Sequence, residues 1–152
     1  MPEFGVEDVV GALALPGGLV LMTAHHDGDR AGLMARSAML CAEEPVLVAV
    51  AIRRGHPIAP LIRDSHTFAL NLLHAPAPLL ERKFGARIDT AAPDEAGDPF
   101  DAIPHRSLGT GAPVLDQCVS ALDCEVVRHF DLEADHELYI GQVVGFRGPA
   151  KP

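Results

Sequence analysis

Residues 30–50 read Arg30-Ala-Gly-Leu-Met-Ala-Arg-Ser-Ala-Met-Leu-Cys-Ala-Glu-Glu-Pro-Val-Leu-Val-Ala-Val50. This stretch predicts one strand, a short acidic turn ending at Pro45, and a second strand that is almost wholly apolar. Small residues (Gly32, Ala35, Ser37, Ala38) interrupt the first strand where a bulky side chain would fill a pleat. Such gaps let a flat ligand approach the backbone, so the segment is expected to form a ligand ledge.

Upstream, Val6, Val9, Val10 and Leu13 share one helical face with Glu7 and Asp8 at the favourable N-terminal end, which predicts a short helix over 6–13. Leu19 to Ala24 is β-compatible, and the polar turn His25–Asp29 returns into the Gly32 strand as a hairpin. Downstream, a strand over Val46–Ile52 precedes the basic turn Arg53-Arg-Gly-His-Pro57, followed by one or two helical turns over Ile58–Asp64. Phe68–Leu73 reads as another strand. Pro78–Phe84 reads as a short helix, with proline at its first position and Gly85 after its last. Residues 86–113 lack any period and predict a long surface excursion. Two long paired strands then flank a turn at Glu133–Asp135. Strands joined mostly by short turns imply an antiparallel barrel, mainly β with short peripheral helices, because a parallel sheet needs crossover helices of real length.

At 152 residues the chain fits one domain, 1–152, with a substantial core. Hydrophobic residues make up 48% and charged ones 22%, which argues against extended disorder. A formal charge of −9 with no Lys/Arg run excludes nucleic acid as a partner. Cys41, Cys118 and Cys124 are an odd count without a Cys-x-x-Cys pair, so reduced thiols are expected, and Cys118 and Cys124 are expected to be buried. No run approaches a membrane span of ~20 residues, and the first residues lack the pattern of a signal peptide. A soluble, cytoplasmic protein is the expectation.

Gly109-Thr-Gly111 has no preceding strand or following helix, so it is not a dinucleotide fingerprint. The chain also lacks a phosphate loop ending in Lys-Ser/Thr, a Gly-x-Ser-x-Gly and a His-Glu-x-x-His. His25, His26 and Asp27 are read as a solvated turn rather than metal ligands, because adjacent residues on a tight turn do not converge on one ion. No metal is expected.

Gly32-Leu-Met-Ala-Arg-Ser37, with Pro45 and an apolar strand behind it, resembles the Gly-(Leu/Met)-Thr-Ala-Ser-Ser segment of the flavin reductase-like FMN-binding split-barrel family. Matches follow in that family's order at Phe68–Leu73, Lys83-Phe84-Gly85, Gly111–Leu115, Ala121–Glu125, and Asp135-His136 with Gly141–Val143. The resemblance implies an antiparallel split barrel of about six strands, a homodimer, and FMN or FAD held by the first strand and its turn, Gly32, Leu33, Met34, Ala35, Arg36 and Ser37.

The chain departs from the family pattern where Met34 and Arg36 replace hydroxyl residues, leaving Ser37 the hydroxyl that is kept. Arg36 is either a fork onto the flavin phosphate or N1 edge, or a solvent-facing strand residue. Arg53 and Arg54 match a region that approaches the ligand phosphate in this family, and equally read as a solvated basic turn. Phe84 and Gly85 match a segment near the flavin, although Phe84 also reads as core. His136 matches the residue beside the nicotinamide pocket and also reads as a strand cap.

The implied activity is hydride transfer from NAD(P)H to flavin, with reduced flavin passed to a separate flavin-dependent monooxygenase. Two rivals remain open: a flavin-binding electron carrier without turnover, and a split barrel that has lost flavin.

Overall fold

Alternate residues of Thr67-Phe-Ala-Leu-Asn-Leu-Leu73 enter two different hydrophobic clusters, which makes this strand the centre of the molecule. Phe68, Leu70 and Leu72 enter the larger cluster, and Ala69 and Leu73 the smaller one on the opposite face. A strand buried on both faces is mostly apolar, and all but Thr67 are buried, Asn71 being the one polar residue among them. The computed structural model describes residues 4–15, 18–35, 38–85 and 98–149.

In chain order the elements are α1 (Val6–Leu13), β1 (Leu19–His26), β2 (Asp29–Ala35), β3 (Ala38–Glu43), β4 (Val46–Arg53), α2 (Ile58–Ser65), β5 (Thr67–Leu73), α3 (Pro78–Phe84), β6 (His105–Arg106), β7 (Val114–Leu115), β8 (Ser120–Asp131) and β9 (His136–Arg147). Seven strands form one sheet in the order β2-β1-β5-β8-β9-β4-β3, and each neighbouring pair is antiparallel. β6 and β7 form a separate two-stranded ribbon. The fold is therefore mainly β, as expected.

Sequence neighbours close the barrel. β2 and β3 are the two edges of the sheet, yet Ala35 and Ala38 are three positions apart in the chain. Three extended residues reach about 11 Å at most, so the sheet must curl until its edges nearly meet. β2 accordingly touches β4 across the gap. Helix α2 lies against β1 and β2, with Ile58 and Ile62 in the larger cluster.

Several expectations are met and others are corrected. Helices α1 and α3 fall on the residues predicted for them, and the Gly5 N–H donates to Asp8 Oδ2 at 2.8 Å. Residues 30–35 and 38–42 lie in two strands on opposite edges rather than in one. Periodicity misses this because both strands alternate on the same period and the two residues between them, Arg36 and Ser37, include no Gly, Pro, Asn or Asp. His25 and His26 belong to β1, paired with Arg30 and Asp29, so the turn is only Asp27-Gly28, both at positive φ. Of the expected surface excursion, residues 86–97 lie outside the described residues. Its remainder is not all surface, since Phe100, Ile103, Ala112 and Pro113 are buried.

Candidate functional site

The two faces of β2 are both occupied by the protein itself. Ala31, Leu33 and Ala35 pack on the larger cluster, while Met34 packs on the smaller one. Gly32 is buried, and a Cβ added there would lie 2.8 Å from Phe84 Cδ1 and 3.2 Å from Phe100 Cζ. Phe84 and Phe100 lie side by side with ring centroids 5.1 Å apart. The gap that reads in sequence as a ledge for a flat ligand is thus filled by the chain's own aromatic rings. Gly85 has a comparable role at the end of α3, where a Cβ would come within 2.3 Å of the Glu81 carbonyl oxygen. Arg36 and Ser37 lie outside the described residues.

The basic turn after β4 and the turn after β8 meet at one end of the sheet. β4–β9 register places Arg53 opposite His136. The Arg53 guanidinium is 3.6 Å from Asp135 Oδ2, and His136 Nδ1 is 3.0 Å from Asp135 Oδ1. That imidazole, with the Arg53 charge behind it, holds the Asp135 carboxyl below the usual carboxylate range. Arg54 bonds the adjacent turn, donating from Nε to the Ala134 carbonyl at 2.9 Å and from Nη2 to Asp131. Arg53, Arg54 and His136 therefore form one cluster, while Phe84 and Gly85 stand with Gly32 elsewhere.

A cleft of about 350 Å³ opens beside this cluster, lined among others by Arg54, His56, Arg63, His129 and Glu137. The Ile58 N–H donates to His56 Nδ1 at 3.0 Å, so the neutral ring carries its proton on Nε2. Burial lowers the His56 pKa and keeps it in that neutral, donating form. His129 stacks on Tyr139 at 4.4 Å, and its Nε2 is 2.8 Å from Glu137 Oε1. Sequence reasoning did not single out His56, Arg63 or His129. His56 precedes Pro57, the N-cap of α2, and Arg63 lies in the last turn of that helix, which is the one signal that joins them.

Sequence reasoning also missed the buried anchors of the crossing segment. Asn71 accepts the Leu115 N–H at 2.7 Å and donates to the Pro113 carbonyl at 3.3 Å, while Thr23 Oγ1 donates to the same carbonyl at 2.5 Å. Asp123 accepts from the Thr110 N–H and hydroxyl at 3.0 and 2.6 Å. Arg30 fastens the other end, with Nε 2.7 Å from Asp98 Oδ2. No cluster of three or more metal-ligating side chains occurs among the described residues.

The sequence model of the Flavin reductase like domain matches residues 12–152. The chain belongs to the flavin reductase like domain family. It is 27% identical to the FMN reductase (NADH) RutF of Bradyrhizobium diazoefficiens, over 97% of this chain and 78% of that protein. It is 28% identical to the NADPH-flavin oxidoreductase of Streptomyces viridifaciens, over 88% of this chain and 68% of that one. In fold it is similar to nitrilotriacetate monooxygenase component B from Mycobacterium thermoresistibile, with a TM-score of 0.75 and 24% identity over 97% of this chain and 79% of the other.

This flavin reductase like domain offers mixed support for a flavin nucleotide. At Gly32 the space that a Cβ would take is filled by Phe84 and Phe100. The cleft beside Arg54 carries the Arg63 guanidinium and the His56 imidazole as donors in its lining, with the one carboxylate there, Glu137, engaged by His129 at 2.8 Å, so its free donors suit an anionic group. Its volume lies within the usual range of small-ligand sites, ~300–1,000 Å³. The residues present fit the phosphate-bearing end of such a ligand. No helix among the described residues is long and apolar enough to cross a membrane.

Proposed function

We propose that this domain is an NAD(P)H-dependent flavin reductase acting on FMN or FAD. The observation that carries the reading is the family match over residues 12–152. When bound, flavin supplies the acceptor that takes a hydride from C4 of NAD(P)H, a proton from solvent completing the reduction.

The chain's own part is binding and orientation, so no nucleophile or carboxylate dyad is needed. His56 and Arg63 hold the flavin phosphate in the cleft they line, with Arg36 and Ser37 as further contacts on the resemblance of their segment. His136, with Arg53 behind it, keeps Asp135 ionised, and Asp135 takes the His136 Nδ1–H. The Nε2 of His136 is thereby turned outward to orient the nicotinamide half of the donor.

The same reading makes residues 1–152 one domain working as a homodimer in the cytoplasm, with three free thiols in keeping with that compartment. A flavin-dependent monooxygenase is the recipient of reduced flavin, which the likeness to a monooxygenase component B supports. Oxidation of NADH and of NADPH, each measured with FMN, FAD and riboflavin in turn, tests the proposal. Turnover that saturates in both flavin and nucleotide is expected; nucleotide that stays reduced with every flavin rejects it.

A further inference from the structure

Arg54 directs each of its described contacts at one target. Its main-chain N–H donates to the Asp135 carbonyl at 2.9 Å, its Nε to the Ala134 carbonyl at 2.9 Å, and its Nη2 to the Asp131 carboxylate. Asp131 Oδ1 also accepts the Glu133 N–H at 2.8 Å, where Glu133 holds a positive φ of 53°. One side chain thus closes the whole turn between β8 and β9.

That turn has reason to need closing. The β5–β8 ladder ends at the pair Thr67–Glu125, and the last main-chain bond on that side runs from the Val126 N–H to the His66 carbonyl. From 127 to 131, β8 is paired only with β9, so the end of the hairpin is supported from one side. His136 begins β9 immediately after the turn, opposite Arg53.

We propose that Arg54 is a positioning residue for His136: it latches the 131–135 turn through Asp131 and Ala134, and so fixes where the imidazole meets the donor nucleotide. This rests on the reading of His136 as a nicotinamide-side residue. Its neighbour Arg53 touches the same turn more loosely, its guanidinium 3.6 Å from Asp135 Oδ2. The Nε and Nη2 of Arg54 are committed to the turn, which leaves the cleft's anion to Arg63 and His56. Because Arg54 and Asp131 are both about half exposed, the latch governs local order more than global stability.

Two readouts separate a latch from a ligand contact. In the flavin-free protein, R54A and D131N should each speed amide exchange at Glu133 and at position 54, whose N–H groups bond Asp131 and the Asp135 carbonyl, by tenfold or more while the denaturation midpoint stays in place. In steady state, R54A, D131N and the double variant should raise the KM for NAD(P)H by the same several-fold factor, leaving the KM for flavin unchanged. Non-additivity is the signature of one shared unit. A wild-type KM for NAD(P)H in D131N, or a rise confined to the flavin KM in R54A, overturns the latch. H136A separates the premises. If it raises the KM for NAD(P)H while R54A and D131N do not, only the latch falls; if H136A leaves that KM alone, the His136 reading and the latch fall together.

Discussion

Gly32 and Phe84 occupy one space: the position of a Cβ on Gly32 is 2.8 Å from Phe84 Cδ1 and 2.9 Å from Cε1. Phe84 cannot withdraw, because it is buried against Phe100 and Leu80 in the smaller cluster. G32A should therefore destabilise the fold by about 1–3 kcal/mol through overpacking. Chemical denaturation measures this, and the flavin Kd of the folded fraction should not change. Pairing G32A with F84L, which relieves the clash, should cost less than the two separate losses added.

Asn71 is the rivet of the crossing segment. It is fully buried and serves Leu115, Pro113 and Leu21 at once. N71A leaves the Leu115 N–H without its acceptor, at a cost of about 1–3 kcal/mol for a buried unpaired group. Hydrogen exchange at Leu115 should accelerate more than at β9 amides. Uniform acceleration across both would instead mark Asn71 as a general core residue.

The carboxylates respond to pH in opposite senses. The Glu133 N–H and then Arg54 hold Asp131 below the usual carboxylate range, and His136 does so for Asp135. Their contribution to stability is complete above the unfolded value near ~4 and is lost as pH falls through the lower folded values. Burial pushes the Asp123 carboxyl up, against the pull of its Thr110 bonds. Its contribution is complete below the unfolded value and is lost as pH rises through the folded one. Urea midpoints across this range should fall more steeply with rising pH in the wild type than in D123N, whereas D131N, at an exposed site, should leave the acid side close to wild type.

The thiols should divide by burial. Cys41 is exposed on the edge strand β3, while Cys118 and Cys124 are buried, and burial pushes both of their thiols up. A maleimide titration of the native protein should label one thiol quickly, and the other two only on unfolding. Early labelling of a second thiol would show local opening near Arg147, whose Nη2 contacts Cys118 Sγ at 2.8 Å.

Arg36 is tested from sequence. If it forks onto the flavin phosphate, R36A should weaken flavin binding by tenfold or more, since charge-assisted hydrogen bonds are worth about 1.5–3 kcal/mol. An unchanged Kd returns it to solvent.

Elements with a strong local cause were legible in the sequence. Pro78 and Gly85 bracket α3, the amphipathic 6–13 stretch gives α1, and long alternation gives β8 and β9. What was not legible depends on pairings distant in sequence. No local signal says that Gly32 is matched to Phe84 and Phe100, or that Arg54 reaches a turn about eighty residues away. The cluster of Arg53, Arg54 and His136 was named from family likeness, residue by residue. Only the β4–β9 register brings it together.

The central claim is that this chain moves a hydride from NAD(P)H to flavin. The most direct test is an anaerobic titration of the purified protein with FMN, followed by NADH or NADPH in the same cuvette. We predict saturable binding, then rapid bleaching of the flavin absorbance with at least one nucleotide and much faster than without protein. Bound FMN that keeps its oxidised spectrum with both nucleotides would contradict the account.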